Sequence, residues 1–320
     1  MNKYFTLRRF CPCCKSTNST TLRKVAYTES PIKDHLESFY SPIGGVEFEY
    51  LEGADYILKE CNECGLIYQK EIPNEFLMYK LYDCWIDSEK VMKRLQSREG
   101  VRHFLWVASE IANVIKYLDI EPHKLNFLDF GMGRGNWCMI AKGMGCDVAG
   151  FELSQVWIDN AKKAGIKVVS WEDIPRQQYD FINAEQVFEH IPNAIETLVH
   201  LSRSLKPNGI IRISTPSGWD IKKRLKIWNW EAIRDSKDCL LSVAPLQHIN
   251  CYNYDVLVKM GQKVDLEAVE IPKQFTITEK KIKNLKNRVK VIIRPFYNSL
   301  KRRADDPKKG SKVFFRNPIL

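Results

Sequence analysis

The stretch from Leu125 to Glu152, LNFLDFGMGRGNWCMIAKGMGCDVAGFE, decides the fold of this chain. It opens with an apolar run, Leu125 to Phe130, whose length is typical of a buried strand. A loop with glycines at alternate positions follows, and a helical segment begins at Asn136. Glycine allows positive φ and has no Cβ, so a ligand can approach the N–H groups at the helix start. The pattern therefore predicts a strand, a glycine turn and a helix whose first turn faces acceptor atoms of a ligand.

A second apolar segment, Cys146 to Phe151, predicts the next strand and ends at the acidic residue Glu152. Glu152 stands 21 residues after Gly131, the first glycine of the loop. This is close to the spacing at which an acidic side chain binds the two hydroxyls of a ribose. The ligand predicted for the turn is therefore a nucleoside.

The loop glycines are spaced G-x-G-x-G, and Asp129 precedes the first of them by two residues. In these features the stretch resembles motifs I and II of the class I S-adenosylmethionine-dependent methyltransferases, in which the turn holds the methionine part of the cofactor and the acid holds the ribose. Two later segments, Tyr179 to His190 and Leu205 to Ser214, resemble the family's fourth and fifth strands. The resemblance covers residues 125 to 270 and implies an α/β fold with a Rossmann-like, seven-stranded, doubly wound sheet.

The resemblance also implies a site for S-adenosylmethionine. Ser170 and Trp171 fall where the family reads adenine, and alignment of Asp173-Ile174-Pro175 with the family's D-x-P places Ser170 where the family usually has an acid. Trp171 either stacks on the adenine or packs at the surface. The residues assigned to the cofactor are Asp129, Gly131, Gly133, Gly135, Glu152, Ser170, Trp171 and Glu185.

Four of the ten cysteines form two Cys-x-x-Cys pairs, Cys11 with Cys14 and Cys61 with Cys64. Each pair can point two thiolates inward, and two pairs supply the four soft ligands of a tetrahedral structural zinc. Cys13 is a neighbour outside this ligand set. Four protein ligands leave no open position, so the predicted zinc stabilises the fold and performs no chemistry. The alternative is that these cysteines are reduced and hold no metal.

Residues 1–75 are predicted to be the zinc ribbon, with short strands at Glu47–Tyr50 and Tyr56–Lys59. A ribbon that ends in C-x-x-C-G-L and joins such a core resembles a bacterial family whose members often serve sugar and secondary-metabolite pathways. That family carries a Tyr-rich segment after the ribbon, which the resemblance places over the cofactor cleft. Tyr79 and Tyr82 correspond to it here, and their spacing fits the packing face of a helix equally well.

Residues 76–120 are predicted to be a helical linker that covers the cleft. Within it, apolar side chains recur every three or four residues from Arg98 to Leu118, which predicts an amphipathic helix packed on the sheet. Residues 121–272 form the predicted methyltransferase core. In that core a helix from Gln155 to Ala164 and a third strand at Ile166 to Val169 continue the strand–helix alternation of a parallel sheet.

Candidate catalytic residues follow the fourth and fifth strands, because open α/β sheets bind ligands at the carboxyl ends of their strands. Methyl transfer to a hydroxyl requires alignment of the reactants and removal of a proton. His248 is the first candidate for the base, since an imidazole accepts a proton near neutral pH, and a structural histidine is the alternative. Glu189 and His190 either take part or form a helix start, where an acid suits the helix dipole. Gln186 is neutral and is assigned to orienting the substrate or cofactor.

An excursion of about thirty residues begins at Thr215–Gly218, after the fifth strand. It holds Trp219, Trp228 and Trp230 among several basic residues. Aromatic rings interleaved with cations suit a carbohydrate or a phosphate-bearing acceptor, and a lid that only excludes water is the alternative. The predicted partner is a small-molecule acceptor, with carbohydrate as the favoured class.

Residues 273–320 hold 15 Lys and Arg against 3 Asp and Glu, whereas residues 1–272 are nearly neutral. Apolar residues at helical spacing in this tail predict a basic amphipathic helix, kinked at Pro295. Such a helix suits an anionic membrane surface, and docking of its apolar face on the core is the alternative. The segment Val313-Phe314-Phe315 corresponds to the family's last, antiparallel strand, inserted beside the fifth.

No apolar run reaches the roughly 18 residues of a membrane span, and residues 1–9 lack the apolar core of a signal peptide. The sequence therefore predicts a cytoplasmic protein, with peripheral contact at a membrane left open. The predicted function is S-adenosylmethionine-dependent O-methylation of a sugar or glycan precursor. Methylation of RNA and a non-catalytic nucleoside-binding or scaffold role are the two alternatives. Nucleic acid is disfavoured as a partner, because the basic residues concentrate in one predicted helix and a recognisable target-binding motif is missing.

Overall fold

The computed structural model describes residues 2–85, 98–234, 236–275 and 311–318. The strands, in chain order, are β1 (Phe5–Leu7), β2 (Ser19–Ala26), β3 (Asp55–Cys61), β4 (Ile67–Gln69), β5 (Glu71–Pro73), β6 (Asn126–Phe130), β7 (Asp147–Phe151), β8 (Lys167–Val168), β9 (Tyr179–Glu185), β10 (Leu205–Ser214), β11 (Asn250–Cys251), β12 (Glu267–Val269) and β13 (Lys312–Arg316). The α-helices are α1 (Ile32–Tyr40), α2 (Glu75–Tyr79), α3 (Arg98–Leu118), α4 (Asn136–Gly143), α5 (Gln155–Lys163), α6 (Ala194–Ser202), α7 (Ile221–Ile227) and α8 (Tyr254–Gln262).

Seven strands form the central sheet in the order β12-β13-β10-β9-β6-β7-β8. The strands from β6 to β10 pair in parallel, and β13 is antiparallel to both of its neighbours, β10 and β12. The chain runs outward from β6 to β8 and then returns to place β9 on the other side of β6. A topological switch point of this kind opens a ligand crevice at the carboxyl ends of the strands. The predicted Rossmann-like, seven-stranded, doubly wound sheet is confirmed.

The amphipathic pattern of α3 places it against one face of this sheet. Val107, Ile111 and Val114 on the helix are buried in one apolar cluster with Phe127 of β6 and Ile210 of β10. Parallel strands covered by helices are buried on both faces, and β6 and β9 accordingly have buried residues at consecutive positions, with the polar Asp129, Asp180 and Asn183 among them. The helix predicted from Arg98 to Leu118 has these same bounds in the structure and packs on the sheet as expected.

The last strand of the sheet is β13, and it confirms the antiparallel strand predicted at Val313-Phe314-Phe315. Its neighbour α8 ends at Gln262, so Gly261 lies in the last turn of that helix. Gly261 serves as a contact surface, because a Cβ built on it would lie 2.2 Å from Cε1 of Phe315. The helix and the strand therefore approach more closely than any larger residue would allow.

The N-terminal module, residues 2–85, is built on two small antiparallel sheets. One pairs β1 with β5, and the other has the order β11-β4-β3-β2. The outer strand β11 comes from residues that follow the fifth strand of the core, and its Asn250 and Cys251 pair with Tyr68 and Ile67 of β4. The module and the core are thus joined by backbone hydrogen bonds as well as by the chain.

The strand predicted at Tyr56–Lys59 is confirmed within β3, but the strand predicted at Glu47–Tyr50 is wrong. Residues Phe48–Tyr50 form a single 3₁₀ turn instead. The N–H groups of Tyr50 and Leu51 donate to the carbonyls of Glu47 and Phe48, so the segment satisfies its hydrogen bonds locally. Alternating polarity over four residues fits one turn of this kind as well as a short strand.

The excursion after β10 contains α7 and packs largely against the N-terminal module. The ring of Trp230 lies 4.6 Å from that of His35 and 6.0 Å from that of Tyr56. The guanidinium of Arg23 lies over the ring of Trp228, at 5.4 Å from its centroid. These two tryptophans therefore form a packing contact between the excursion and the module, whereas Trp219 is 39% exposed.

The basic amphipathic helix predicted in the tail falls on residues 276–310, which lie outside the described residues. Its predicted contact with a membrane surface and the alternative of docking on the core both stay predictions. Among the helices that the structure describes, none combines the length and the apolar character needed to cross a membrane.

Candidate functional site

The glycine loop between β6 and α4 has the left-handed backbone that its sequence requires. Gly131, Gly133 and Gly135 have φ values of 73°, 51° and 73°. A Cβ on Gly131 would lie 2.5 Å from Val187, and one on Gly135 would lie 2.4 Å from Ile166, so these two glycines are required by packing. A Cβ on Gly133 would meet no atom within 4 Å among the described residues. Of the three, Gly133 is therefore the glycine that faces open space.

Glu152 ends β7 and turns its carboxylate towards this loop. Oε2 accepts a hydrogen bond of 2.9 Å from the N–H of Gly133, and Oε1 accepts from the N–H groups of Leu153 and Ser154 at 2.8 and 3.0 Å. A carboxylate has about four acceptor sites, so three backbone donors leave about one. One ribose hydroxyl can therefore bind to Glu152 directly, whereas a second would have to replace one of these backbone donors.

These features fit a nucleoside at the predicted place. The loop offers open space at Gly133, the acidic side chain lies beside it, and both stand at the carboxyl ends of β6 and β7, next to the switch point. Leu153, the residue after the acid, is 83% exposed, which is unusual for a leucine beside a core strand. It presents an apolar surface of the kind that a purine ring covers.

Trp171 lies at the same edge of the sheet, close to Phe130 and Phe151 at the ends of β6 and β7. One of its faces is stacked on His200, with the ring centroids 3.7 Å apart and an angle of 6° between the planes. The Ser170 hydroxyl donates to the Asp173 carboxylate at 2.8 Å. Trp171 is thus positioned by the protein itself, and the adenine contacts assigned to Ser170 and Trp171 stay predictions.

Asp129 lies in the core below the loop, where it is 3% exposed. Its Oδ1 accepts a hydrogen bond of 2.7 Å from Asn183 of β9, and the thiol of Cys138 in α4 donates to Oδ2 at 3.7 Å. The side chain therefore connects β6 with β9 and α4, and both of its oxygens have partners inside the protein. Burial raises the pKa of Asp129 to about 7. Its assignment as a cofactor contact stays a prediction.

We expect Asp129→Asn to flatten the pH dependence of stability. Because the folded-state pKa is raised, the folded chain keeps a proton that the unfolded chain has lost between about pH 4 and pH 7. Relative to the variant, the wild type should therefore lose roughly 2 to 3 kcal/mol of unfolding free energy as the pH rises from about 5 to 8. Urea unfolding at several pH values measures this difference. Asp147→Asn, at an exposed position of β7, is the matched control, and parallel profiles for wild type and Asp129→Asn would contradict the expectation.

Glu185, the last residue of β9, forms an ion pair with Arg212 of β10. Arg212 is 1% exposed and also lies 3.7 Å from Glu110 of α3, whose carboxylate contacts Lys312 of β13 at 2.6 Å. These four charged residues, which we call the Arg212 network, connect strands β9, β10 and β13 with helix α3. Glu185 was assigned to the cofactor, and the structure shows that its carboxylate already has a buried cationic partner.

Three of the four predicted catalytic residues meet beyond the end of β9. Glu189 and His190 lie on a 3₁₀ turn, and His248 reaches them from the segment before β11. The rings of His190 and His248 are 5.0 Å apart, and Nε2 of His190 lies 3.7 Å from Oε1 of Glu189. Gln186 is exposed and adopts a left-handed conformation with φ of 56°, so it stands apart from this Glu189–His190–His248 cluster.

Burial keeps the cluster close to neutral. It lowers the pKa of His248 to about 4 and that of His190 to about 3, where the charge of His248 adds to the effect. It raises the pKa of Glu189 to about 8. Nδ1 of His248 contacts the carbonyl of Leu241, and because a carbonyl only accepts, Nδ1 carries the proton and Nε2 carries the lone pair.

The segment Lys80–Cys84, a π-helical turn after α2, spans the two halves of this edge. The hydroxyl of Tyr82 lies 2.8 Å from Nδ1 of His190, and Oγ of Ser154 donates to Asp83 at 3.0 Å. Two consecutive residues of the segment therefore contact the cluster and the loop after Glu152. Tyr79 is 58% exposed and takes no part in this bridge.

The four predicted zinc ligands come together in the N-terminal module. Their sulfur atoms all lie within 4.8 Å of one another, with 3.6 Å between Cys11 and Cys64 and 3.4 Å between Cys14 and Cys61. A tetrahedral zinc with bonds of about 2.3 Å separates its sulfur ligands by about 3.8 Å, so the four thiols can hold a structural zinc. Cys13 is buried beside them but is outside the group.

Some residues that shape the site were missed from the sequence. Arg212, Asn183 and Leu153 were not assigned any of the roles described above. Arg212 carried a signal, because a charged residue inside the apolar run of a central strand needs a buried partner. Asn183 and Leu153 carried none, since their importance depends on which strands become neighbours.

Comparison with known proteins gives two curated relatives, both named ubiquinone biosynthesis O-methyltransferase. The one from Bradyrhizobium diazoefficiens is 33% identical over 100 residues, which are 28% of this chain and 40% of the relative. The one from Rickettsia canadensis is 32% identical over 108 residues, which are 31% of this chain and 45% of the relative. The matched part of the chain thus spans less than half the length of these relatives. Among solved structures, the plantazolicin methyltransferase BpumL is 17% identical, with 76% of this chain and 94% of BpumL covered and a TM-score of 0.47.

A family model described as a methyltransferase domain matches residues 103–271, which is more than half of the chain. The matched region contains the glycine loop, Glu152 and the whole Glu189–His190–His248 cluster. The order and direction of the seven strands agree with the arrangement that the class I resemblance implied. The chain therefore belongs to the methyltransferase-domain family and has the fold of a class I S-adenosylmethionine-dependent methyltransferase.

Proposed function

We propose that this chain is an S-adenosylmethionine-dependent methyltransferase that methylates a hydroxyl of a small molecule. The observation that carries the proposal is the arrangement at the carboxyl edge of the sheet. The glycine loop and Glu152 stand at β6 and β7, the Glu189–His190–His248 cluster stands beyond β9, and the segment Lys80–Cys84 contacts both. In this proposal the nucleoside and the group that accepts the proton lie on the same side of one crevice.

Each part has a separate task in this proposal. S-adenosylmethionine, when bound, supplies a methyl group that is already activated on a sulfonium sulfur. Glu152 and the loop around Gly133 hold the ribose and the amino-acid part. His248 accepts the hydroxyl proton at Nε2, the ring nitrogen left free by the contact of Nδ1 with Leu241. Tyr82 closes the crevice from above and keeps water away from the reacting atoms.

The acceptor is proposed to be a sugar or glycan precursor, as the sequence resemblance suggests. Trp228 and Trp230 pack on the N-terminal module, so these two rings no longer support a carbohydrate acceptor. The two relatives are named for O-methylation in ubiquinone biosynthesis, which favours an acceptor from that pathway instead. A panel of sugar and phenol acceptors, assayed by transfer of a labelled methyl group, separates the two classes. The cytoplasmic location and the peripheral membrane contact are likewise proposals, and they rest on the sequence alone.

We expect replacement of Glu152 by alanine to weaken binding of S-adenosylmethionine by roughly 10- to 100-fold. Hydrogen bonds to a charged group contribute about 1.5 to 3 kcal/mol, and every 1.4 kcal/mol is about tenfold in affinity. Calorimetric titration of the purified chain measures the effect. The affinity of Glu152→Gln for S-adenosylmethionine should lie between those of the wild type and Glu152→Ala, because the amide keeps one acceptor oxygen.

Glu172→Ala is the matched control, since Glu172 is an exposed glutamate two residues from the predicted adenine contact Ser170. Thermal unfolding of each variant shows whether the fold is kept. Equal affinity of wild type and Glu152→Ala for S-adenosylmethionine would remove the ribose assignment. Failure of the wild type to bind it would remove the proposed function itself.

A further inference from the structure

The Glu189–His190–His248 cluster has features that proton transfer alone does not require. The side chain of Glu189 is 1% exposed, yet neither of its carboxylate oxygens has a hydrogen-bond partner among the described residues. A buried carboxyl group without a hydrogen-bond partner is uncommon, because the loss of its contacts with water opposes folding. The two carboxyl oxygens of Glu189 thus lie inside the protein without a hydrogen-bond partner, beside the imidazoles of His190 and His248.

Both imidazoles are oriented in the way that metal-binding histidines usually are. Nδ1 of His190 lies 2.8 Å from the carbonyl of Gln247, and Nδ1 of His248 contacts the carbonyl of Leu241. A histidine that donates Nδ1–H to a carbonyl has its lone pair on Nε2, which is the tautomer that binds a metal. Nε2 of His190 lies 3.7 Å from Oε1 of Glu189, so these two ligand atoms face each other.

The distances suit a single ion. One ligand atom from each of the three residues lies within 4.8 Å of the other two. An ion with bonds of about 2.1 Å separates its ligand atoms by about 3.4 Å, so side-chain rotations of about an ångström complete the site. The backbone that carries these residues is fixed, because Nδ2 of Asn250 donates to the carbonyls of Phe188 and Ile191 at 3.0 and 2.7 Å.

We propose that Glu189, His190 and His248 bind a divalent transition-metal ion, of the Zn²⁺, Fe²⁺ or Mn²⁺ type, in addition to the zinc of the four cysteines. Two imidazoles and one carboxylate are a ligand set typical of these ions, and three protein ligands leave a position for a water or for an oxygen of the acceptor. The inference rests on the proposed function in one respect, which is that the open position faces the acceptor. With the metal bound, Nε2 of His248 is a ligand and no longer acts as the base. The metal-bound hydroxyl ionises far more readily than a free one and releases its proton to solvent.

The test uses the purified full chain, first loaded with one equivalent of Zn²⁺ to fill the four-cysteine site, and then titrated with Co²⁺. We expect a second equivalent to bind, with visible ligand-field absorption and without the charge-transfer band that thiolate ligands give. Glu189→Gln and His248→Gln should each abolish this second equivalent. Tyr82→Phe, which alters only an outer contact of His190, should weaken Co²⁺ binding by about tenfold.

His123→Gln is the matched control, because the side chain of His123 is 70% exposed and far from the cluster in sequence. It should bind Co²⁺ as tightly as the wild type. The proposal is overturned if the zinc-loaded wild type takes up no second ion, or if His248→Gln and Glu189→Gln bind it as the wild type does. Calorimetry with S-adenosylmethionine on the same samples separates the two proposals, since cofactor binding without Co²⁺ binding rejects only the metal site, and the reverse result rejects only the proposed function.

Discussion

Replacement of Cys61 by serine is expected to remove the structural zinc and to unfold the N-terminal module. Structural zinc sites bind with an apparent free energy of about 10 kcal/mol or more, and that binding energy is folding energy for the segment that supplies the ligands. Cys61 is the last residue of β3, the strand that pairs with both β2 and β4. Loss of one thiolate therefore affects the centre of the four-stranded sheet.

The measurement for Cys61→Ser is the thiolate-to-metal charge-transfer absorption of the cobalt-substituted chain, together with thermal unfolding. Cys13→Ser is the matched control, because Cys13 is equally buried and adjacent to two ligands but stands outside the group of four. It should keep the absorption. A Cys13 variant that loses the band while the Cys61 variant retains it would show that the ligand set is wrong.

The second large effect is expected at Arg212. Arg212→Met should lower the free energy of unfolding by roughly 3 to 5 kcal/mol, because removal of one member of a buried ion pair leaves the other charge without compensation. Glu185 loses its cation altogether among the described contacts, whereas Glu110 keeps Lys312. Urea unfolding measures the change.

A double variant and a surface control make the Arg212 experiment specific. Arg212→Met combined with Glu185→Gln should recover part of the loss, since the uncompensated carboxylate is then gone. Arg316→Met in the neighbouring strand β13 removes an ion pair to Glu267 whose two side chains are 41% and 55% exposed, so it should lower the stability far less than Arg212→Met does. Equal losses for the two arginines would mean that burial does not govern the energy of the Arg212 network.

The central sheet was predictable because its signals are local. An apolar run, a glycine turn and an acid at the end of the next run specify β6, β7 and the loop between them within a single stretch of sequence. The final strand followed from the family resemblance, and the bounds of α3 followed from the spacing of its apolar side chains. The signals for β6, β7 and α3 each lie within fewer than thirty consecutive residues, where pattern and structure correspond most directly.

The assignments at the site were harder, because they depend on contacts between distant parts of the chain. No local pattern indicates that Asn183 hydrogen-bonds to Asp129, that the partner of Arg212 is Glu185, or that His248 lies beside Glu189. Trp228 and Trp230 were predicted to contact the acceptor, because aromatic residues near basic residues give the same sequence pattern in a binding site and in a packed interface. Only the position of the N-terminal module distinguishes the two.

The position of β13 has a consequence for synthesis of the chain. This strand lies between β10 and β12, yet residues 312–316 leave the ribosome after every other strand of the sheet. Until they emerge, β12 has no neighbour and the nascent chain exposes an open edge at β10, which is the kind of surface that recruits chaperones or pairs with another polypeptide. Translation must therefore finish these last residues before the sheet can close.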